Sequence, residues 1–509
     1  MTTLPHVATQ DRVIDAVLII SLGILQATAL AVAAFATRDA FAALHNGAAL
    51  TLRTVCALAG AGVIVALCLF LARRRAEALG QSYAITLRRA LYGHIARLPT
   101  GRHAQRRLGA LSLRFVGDLS AARLWFGRGL PDVLTALVIL PAAVAILVAL
   151  DTRLATAALI PLGLTIIAMT GMAWHLEQRH RRLRARRASI AIGMIERIAI
   201  APDLDLMGRT SKELRALDTH GASLRRAAVA RRGRTAGLQA ILQVGMALSG
   251  LTVLWQASLG GGAAPATVAA CLSVLALVAL PLQDLGASWD SFCAWRIARV
   301  KLLRLFGEPT VKRRARRAGR APTVTLRGTC GGASAHFTAS GGTIATLRHP
   351  RAAHVARCIS GLDPEHGLEV QFDTRTSRPK VAHIGDAHVA LQGSLRRSAT
   401  LTCAKRPSDD AIIATLTAFG LHDLLCAPRG LDQRIAENGR GLSHAQTLRL
   451  DLARAVLGQA NVIVIASLRW AVEPDQDLLM QTLMSQAAAT VIIAETGTAP
   501  TPPDKHRVD

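Results

Sequence analysis

Ser443 opens a stretch whose residue types could hold an anion. The chain reads Asn438-Gly439-Arg440-Gly441-Leu442-Ser443-His444-Ala445-Gln446, and Leu450-Asp451-Leu452-Ala453-Arg454-Ala455 follows with the texture of a helix. A Ser in this place can serve as N-cap to a helix over 446–457. The N-terminus of such a helix carries free amides and the positive end of its dipole, so it can also bind phosphate. The residues by themselves leave both uses open.

The elements that would position this stretch fall into two textures. At 509 residues the chain is too long for one domain. It is 51% hydrophobic with a mean hydropathy of +0.33, as expected of a chain that lies partly in a membrane. Its net charge of +27 could suit nucleic acid, but only 4% of its residues are aromatic, which leaves little surface for base stacking. The Arg clusters fall instead between apolar runs, as the positive-inside rule requires of cytoplasmic loops. The partner this implies is a lipid bilayer and not nucleic acid.

A membrane-spanning helix needs about 20 apolar residues. Runs at 13–36, 54–72, 130–150, 154–174, 236–255 and 265–285 meet that need. The links 37–53, 151–153 and 256–264 are short and nearly uncharged. Segments 73–129 and 175–235 are long and Arg-rich, which places them and both termini in the cytoplasm. Leu87, Leu91, Ile95 and Leu98 recur at helical spacing, so the helices continue beyond the bilayer until Pro99-Thr100-Gly101 and Pro202-Asp203 break them. Residues 1–12 are polar and the first apolar run is too long for a cleaved leader, so no signal peptide is expected. Gln26, Gln239, Gln243, Gln283 and Asp284 lie in or beside the spans, where they can line a cavity or bond neighbouring helices. The eight Cys show no CxxC and no His-paired spacing, so they read as free thiols, and no metal site is expected.

From about Val324 the texture changes. Runs at 324–326, 343–347, 381–384, 462–465 and 491–494 are strand-like and alternate with helical stretches, which predicts an α/β domain built on a parallel sheet.

Several motifs resemble those of type IV ABC exporters. Two long helical hairpins with breaks near 100–108 and 201–212 are similar to the family's coupling tips. Phe115-Val116-Gly117-Asp118-Leu119 resembles a segment that follows its first tip. Trp295-Arg296-Ile297-Ala298-Arg299-Val300 with Leu302-Leu303-Arg304-Leu305-Phe306 resembles its exit helix. The Leu442–Gln446 stretch resembles the family's LSGGQ signature, with His444 and Ala445 in place of two Gly. The resemblance implies an all-α, six-helix transmembrane domain over 1–307, a basic linker over 308–322, and an α/β nucleotide-binding-type domain over 323–509.

Measured against that family, the residues that do chemistry depart. Its phosphate loop needs GxxxxGK[ST], whose amides cradle the phosphates while Lys and Ser/Thr reach phosphate and Mg²⁺. Aligned on Gly361-Leu362-Asp363-Pro364, the chain has Ala352 at the Lys position, Ala353 at the Mg²⁺ ligand, and no Gly in Arg348-His349-Pro350-Arg351. Arg348 or Arg351 could still attract phosphate. The two carboxylates expected after 462–465 fall on Ala466 and Ser467, neither of which can hold a metal or act as a base. The Gln-loop residue falls on Asp386, the D-loop residue on Glu473 and the switch His on Thr496. The only tyrosines, Tyr83 and Tyr92, lie far from the adenine position.

The resemblance therefore implies a membrane subunit with no catalytic residues of its own. In the family the signature completes the ATP site of the opposite subunit. Ser443, Ala445 and Gln446 are then expected to contact ATP, with Mg²⁺, only at a site shared with an intact half-transporter in a heterodimer. The alternative is a non-catalytic scaffold or regulator. Pro202-Asp203-Leu204-Asp205-Leu206 also resembles the second tip of the thiol exporters needed for cytochrome bd assembly.

Overall fold

The computed structural model describes residues 4–100, 114–259, 264–311, 316–317, 319–374, 378–436 and 439–496. The chain divides into two compact units. The first takes in residues 1–96 and 105–308, the second 97–104 and 309–509.

The first unit is helical. Helices α1 (Gln10–His45), α2 (Leu52–Ile95), α3 (Leu119–Leu124), α4 (Leu130–Leu150), α5 (Thr152–Ala199), α6 (Ala201–Leu206), α7 (Thr210–Leu259) and α8 (Pro265–Phe306) follow in order. Five-residue π-turns precede α3 and α4, at Arg114–Asp118 and Trp125–Gly129, so 115–150 runs as one helical span. Among the described residues, six helical spans are long and apolar enough to cross a membrane. Each is longer than the apolar run that announced it, and α2, α5, α7 and α8 continue into charged segments. Leu87 and Leu91 are fully buried on that continuation.

The links are set by local chemistry. Asp151 turns the chain sharply between α4 and α5 and caps the latter, accepting from the amides of Arg153 and Leu154 at 2.8 and 3.0 Å. Pro265 starts α8, where its missing N–H costs nothing. The expected break at 201–212 is present as the short helix α6 and a turn at Gly208, whose φ of +65° suits glycine. The first expected tip, 100–108, lies almost wholly outside the described residues. Leu30, Ile139, Leu147, Leu154, Val274 and Val278 belong to a buried cluster joining the helices, while Val63, Phe70, Leu137 and Ile167 point outward and are exposed. An apolar exterior of this kind is stable only against lipid. Gly80 and Gly127 let α2 meet the second π-turn backbone to backbone. A Cβ on Gly80 would stand 2.5 Å from the Gly127 Cα.

Among the described residues, the second unit holds two four-stranded sheets and two small two-stranded ones. Strands β3 (Ile344–His349), β5 (Val381–Gly385), β6 (Val462–Ala466) and β7 (Thr490–Thr496) form a parallel sheet in the order β3-β7-β6-β5. Strands β1 (Val324–Cys330), β2 (Phe337–Ala339) and β4 (Leu368–Phe372) make up three strands of the antiparallel one, with β1 between β2 and β4. The run at 324–326 thus belongs outside the parallel core. Strand β6 is buried on both faces, as a continuous Val/Ile run predicts for a central parallel strand. Its residues alternate: Val462 and Val464 join a core with Leu326, Val355 and Ile359, and Ile463 and Ile465 join one with Phe419, Leu448 and Leu452. The basic linker is not wholly irregular, since Arg316 and Arg317 pair in parallel with Arg378 and Pro379.

Candidate functional site

The parallel register brings the C-terminal ends of four strands to one edge, with Ala466 opposite Gly385 and Thr496 opposite His349. Ligands of open α/β sheets bind at such edges. Ala466, Ser467, Asp386, Thr496 and the Arg348–Ala353 stretch all gather here, as the sequence alignment on strand ends anticipated.

What they do there is internal. Ser467 caps a short helix, Leu468–Ala471, and its hydroxyl donates to the Asp386 carboxylate at 3.1 Å. The same Asp386 oxygen accepts the amide of Leu468 at 2.7 Å. Only Pro350 and Arg351 separate β3 from helix α9 (Ala352–Ser360). The Arg351 amide donates to His349 Nδ1 at 2.9 Å, which fixes this tight corner. Ala352 is fully buried as the first residue of α9, and Ala353 follows it half-buried. Arg348 pairs with Glu495 at 3.1 Å, and the Arg351 guanidinium lies over Gly331. A nucleotide with Mg²⁺ does not fit these residues: among the described ones, the corner presents no lysine and no hydroxyl at 353, and the Asp386 carboxylate is committed.

Behind the edge lies a buried charge network that the sequence reading missed. Asp451 on α10 (His444–Leu457) accepts from Arg454 Nη1 at 3.0 Å and Arg469 Nη2 at 3.2 Å, and pairs with His388 at 2.9 Å. Arg454 also donates to the carbonyls of Ser398 and Val389. Arg469 donates to the Gly385 carbonyl and to Thr447 Oγ1. Glu473, buried as well, pairs with Arg449 at 2.6 Å. Burial pushes His383 down to about 4, assisted by the Arg357 cation against the pull of Asp363 and Asp386. Its Nδ1 lies 3.0 Å from the Ser360 hydroxyl.

Ser443, Ala445 and Gln446 stand on a different element, the head of α10. The helix starts at His444, two residues before the expected Gln446, because Ser443 reaches forward to the third residue of the helix. Its hydroxyl accepts the Gln446 amide at 3.1 Å, and Gln446 Oε1 accepts the Ser443 amide at 2.9 Å. Gly439 and Gly441, at φ of +73° and +95°, make the turn that presents this end. Ser443 is exposed, and Ala445 and Gln446 are half-buried.

In the helical unit Gln26, Gln239, Gln283 and Asp284, four of the polar residues of the spans, border cavities. Gln239 and Gln283 border one of about 410 Å³ with Arg187, Arg232 and Thr235. Gln26 and Asp284 border one of about 200 Å³ with Arg73 and Asp132. All eight cysteines are free, but the reading that none is spaced to pair with His needs correction. His354 and Cys358 lie 3.7 Å apart on α9, and His422 and Cys426 lie 3.1 Å apart. The signal was present as two His-x₃-Cys spacings, which put both side chains on one helical face.

The profile of the ABC transporter transmembrane region matches residues 16–274. The chain belongs to this ABC transporter family. In fold it is similar to a bacterial Atm1-family ABC exporter with ATP bound, at a TM-score of 0.77 and 16% identity, over 95% of this chain and 90% of that one. Antigen peptide transporter 1 of Rattus norvegicus is 26% identical over 129 residues, which is 24% of this chain and 18% of that protein. An uncharacterized ABC transporter ATP-binding protein of Sinorhizobium fredii is 24% identical over 124 residues, 24% of this chain and 21% of its own length. The matched stretches thus span about a fifth of these curated relatives. This ABC transporter chain is a multi-pass membrane protein with the exporter fold: six apolar helices, then a domain with a parallel sheet.

Proposed function

We propose that the chain is the catalytically degenerate subunit of a heterodimeric ATP-driven exporter of the cell's inner membrane. Its own nucleotide site is inactive. Ser443, Ala445 and Gln446, at the exposed head of α10, complete the ATP and Mg²⁺ site of an intact half-transporter. Both termini, the Arg-rich segments and the sheet-bearing unit face the cytoplasm. The observation that carries this reading is the bond between Asp386 and Ser467. Where the family places a nucleotide-sensing residue and a water-polarising one, two side chains satisfy each other. The positions 352, 353, 466 and 496 carry no group that could replace them.

The second reading, a scaffold without ATP coupling, is supported by the capping box, since Ser443 and Gln446 already satisfy each other without nucleotide. Affinity purification of the full chain from its native membranes, followed by ATPase assays of the chain alone and of whatever co-purifies, separates the two. A co-purified half-transporter whose ATPase needs this chain supports the first. A partner whose turnover is the same without it favours the scaffold.

A further inference from the structure

Four potential metal ligands converge beside the first turns of α9. Cys330 ends β1, His354 and Cys358 lie one turn apart on α9, and Glu365 sits in the turn between Gly361 and Gly367. Cys330 Sγ, His354 Nε2 and a Glu365 carboxylate oxygen all lie within 4.8 Å of one another. Cys358 Sγ is 3.7 Å from the same His354 nitrogen.

We propose that Cys330, His354, Cys358 and Glu365 form a zinc site. Tetrahedral zinc with sulfur at about 2.3 Å and nitrogen or oxygen at about 2.0–2.2 Å sets ligand atoms roughly 3.3–3.8 Å apart. Cys330 would close on His354 and Glu365, which are hydrogen-bonded to each other through His354 Nε2 and would part to admit the ion, and Cys358 would swing in from its contact with His354. Two thiolates and an imidazole select a borderline-soft ion, and Mg²⁺ and Ca²⁺, which take oxygen, are disfavoured. Both cysteines are buried, whereas the His354 and Glu365 side chains are 30% and 23% exposed, which leaves a path from solvent. Zinc with two thiolates and one carboxylate carries a net charge of −1. Arg357, 3.4 Å from His354 Nδ1, and Arg351, over Gly331 next to Cys330, are placed to offset it.

Binding releases one proton from each thiol. His354 ligates through Nε2, so its remaining proton moves to Nδ1. The contacts of His354 with Glu365 and with Arg357 are then given up, while Arg357 keeps its bond to Asp363 at 2.9 Å. The site would clip β1 to α9 at the corner that holds no phosphate loop, and it stands or falls independently of the exporter reading.

The test is metal analysis of the purified full chain, with Co²⁺ as a spectroscopic substitute. The expected result is about one zinc per chain. Cobalt should show a thiolate-to-metal charge-transfer band and the visible bands of tetrahedral geometry. Cys330→Ser and Cys358→Ser should each weaken the charge-transfer band and together abolish it, and Cys403→Ser should leave it intact. Should the buried serines prevent folding, the half-exposed His354→Asn and Glu365→Gln should lower affinity at least about tenfold. Wild-type zinc no higher than in Cys330→Ser/Cys358→Ser, zinc affinity unchanged in His354→Asn and Glu365→Gln, or a cobalt spectrum without the thiolate band overturns the proposal.

Discussion

Ser443 and Gln446 bond to each other in both directions, side chain to backbone, across the first turn of α10. The hydroxyl that would meet a partner's phosphate is therefore already oriented along the helix start, beside amides that remain at an exposed end. Arginine at this place fills the approach and loses the cap.

Ser443→Arg should abolish the ATPase of the co-purified pair. Ser443→Ala should reduce it by roughly 10- to 150-fold if the hydroxyl bonds phosphate mainly in the transition state. It should also cost about 1 kcal/mol of helix stability. Turnover of the pair with each variant is the measurement, and unimpaired turnover with arginine present would exclude a shared site.

The chain alone should not hydrolyse ATP, and Ala352→Lys should not change that. Position 352 is fully buried at the first residue of α9, and the corner before it consists of Pro350 and Arg351. One lysine cannot supply the missing amides of a phosphate loop. A phosphate-release assay on wild type and variant decides, with vanadate-sensitive release as the contrary result.

Asp451 holds two buried arginines. Asp451→Ala leaves Arg454 and Arg469 uncompensated, so the sheet-bearing unit should lose about 3–5 kcal/mol. Asp451→Asn keeps the acceptor and should lose less. Faster hydrogen exchange over 444–457 in the full-length protein would register the loss.

His383 makes this unit acid-sensitive. Its folded value of about 4 lies below the ordinary 6.5, so the unfolded chain binds the proton more readily between those values. The stabilisation is complete above about pH 6.5 and is lost as pH falls towards 4, by up to about 3 kcal/mol. His383→Gln should flatten that slope. Hydrogen exchange in Val381–Gly385 as a function of pH tests it, and a slope that persists in the variant would assign it to other groups.

Topology is open to labelling. Leu206, 90% exposed on α6, should when replaced by Cys react with an impermeant maleimide only after the cytoplasm is opened. Ala48→Cys, between α1 and α2, should react on intact cells. The reverse pattern would invert the assignment.

The membrane half was legible because apolar runs and Arg bias report directly on the lipid solvent. The continuation of α2 and α5 beyond the bilayer was legible too, from helical spacing that runs on to the breaks near Pro99 and Pro202. The strands were legible from Val/Ile runs, and their ends located Asp386, Ser467 and Thr496. What composition could not show was partner choice. That Ser467 would bond Asp386, that Arg469 would reach Asp451, or that Cys330 would meet His354 depends on which strand ends the register aligns. The His-x₃-Cys spacings at 354–358 and 422–426 are readable in the sequence, because four residues return a helix to the same face.

On the proposed reading, the Asp386–Ser467 bond also bears on what building the family's nucleotide chemistry into this strand end would take. A carboxylate restored at position 467 would face the one at 386, and two like charges so close raise the energy of the fold. Removing Asp386 first strips the Ser467 hydroxyl and the Leu468 amide of their acceptor. Each single substitution towards a carboxylate at 467 is therefore uphill, and the two positions would have to change together.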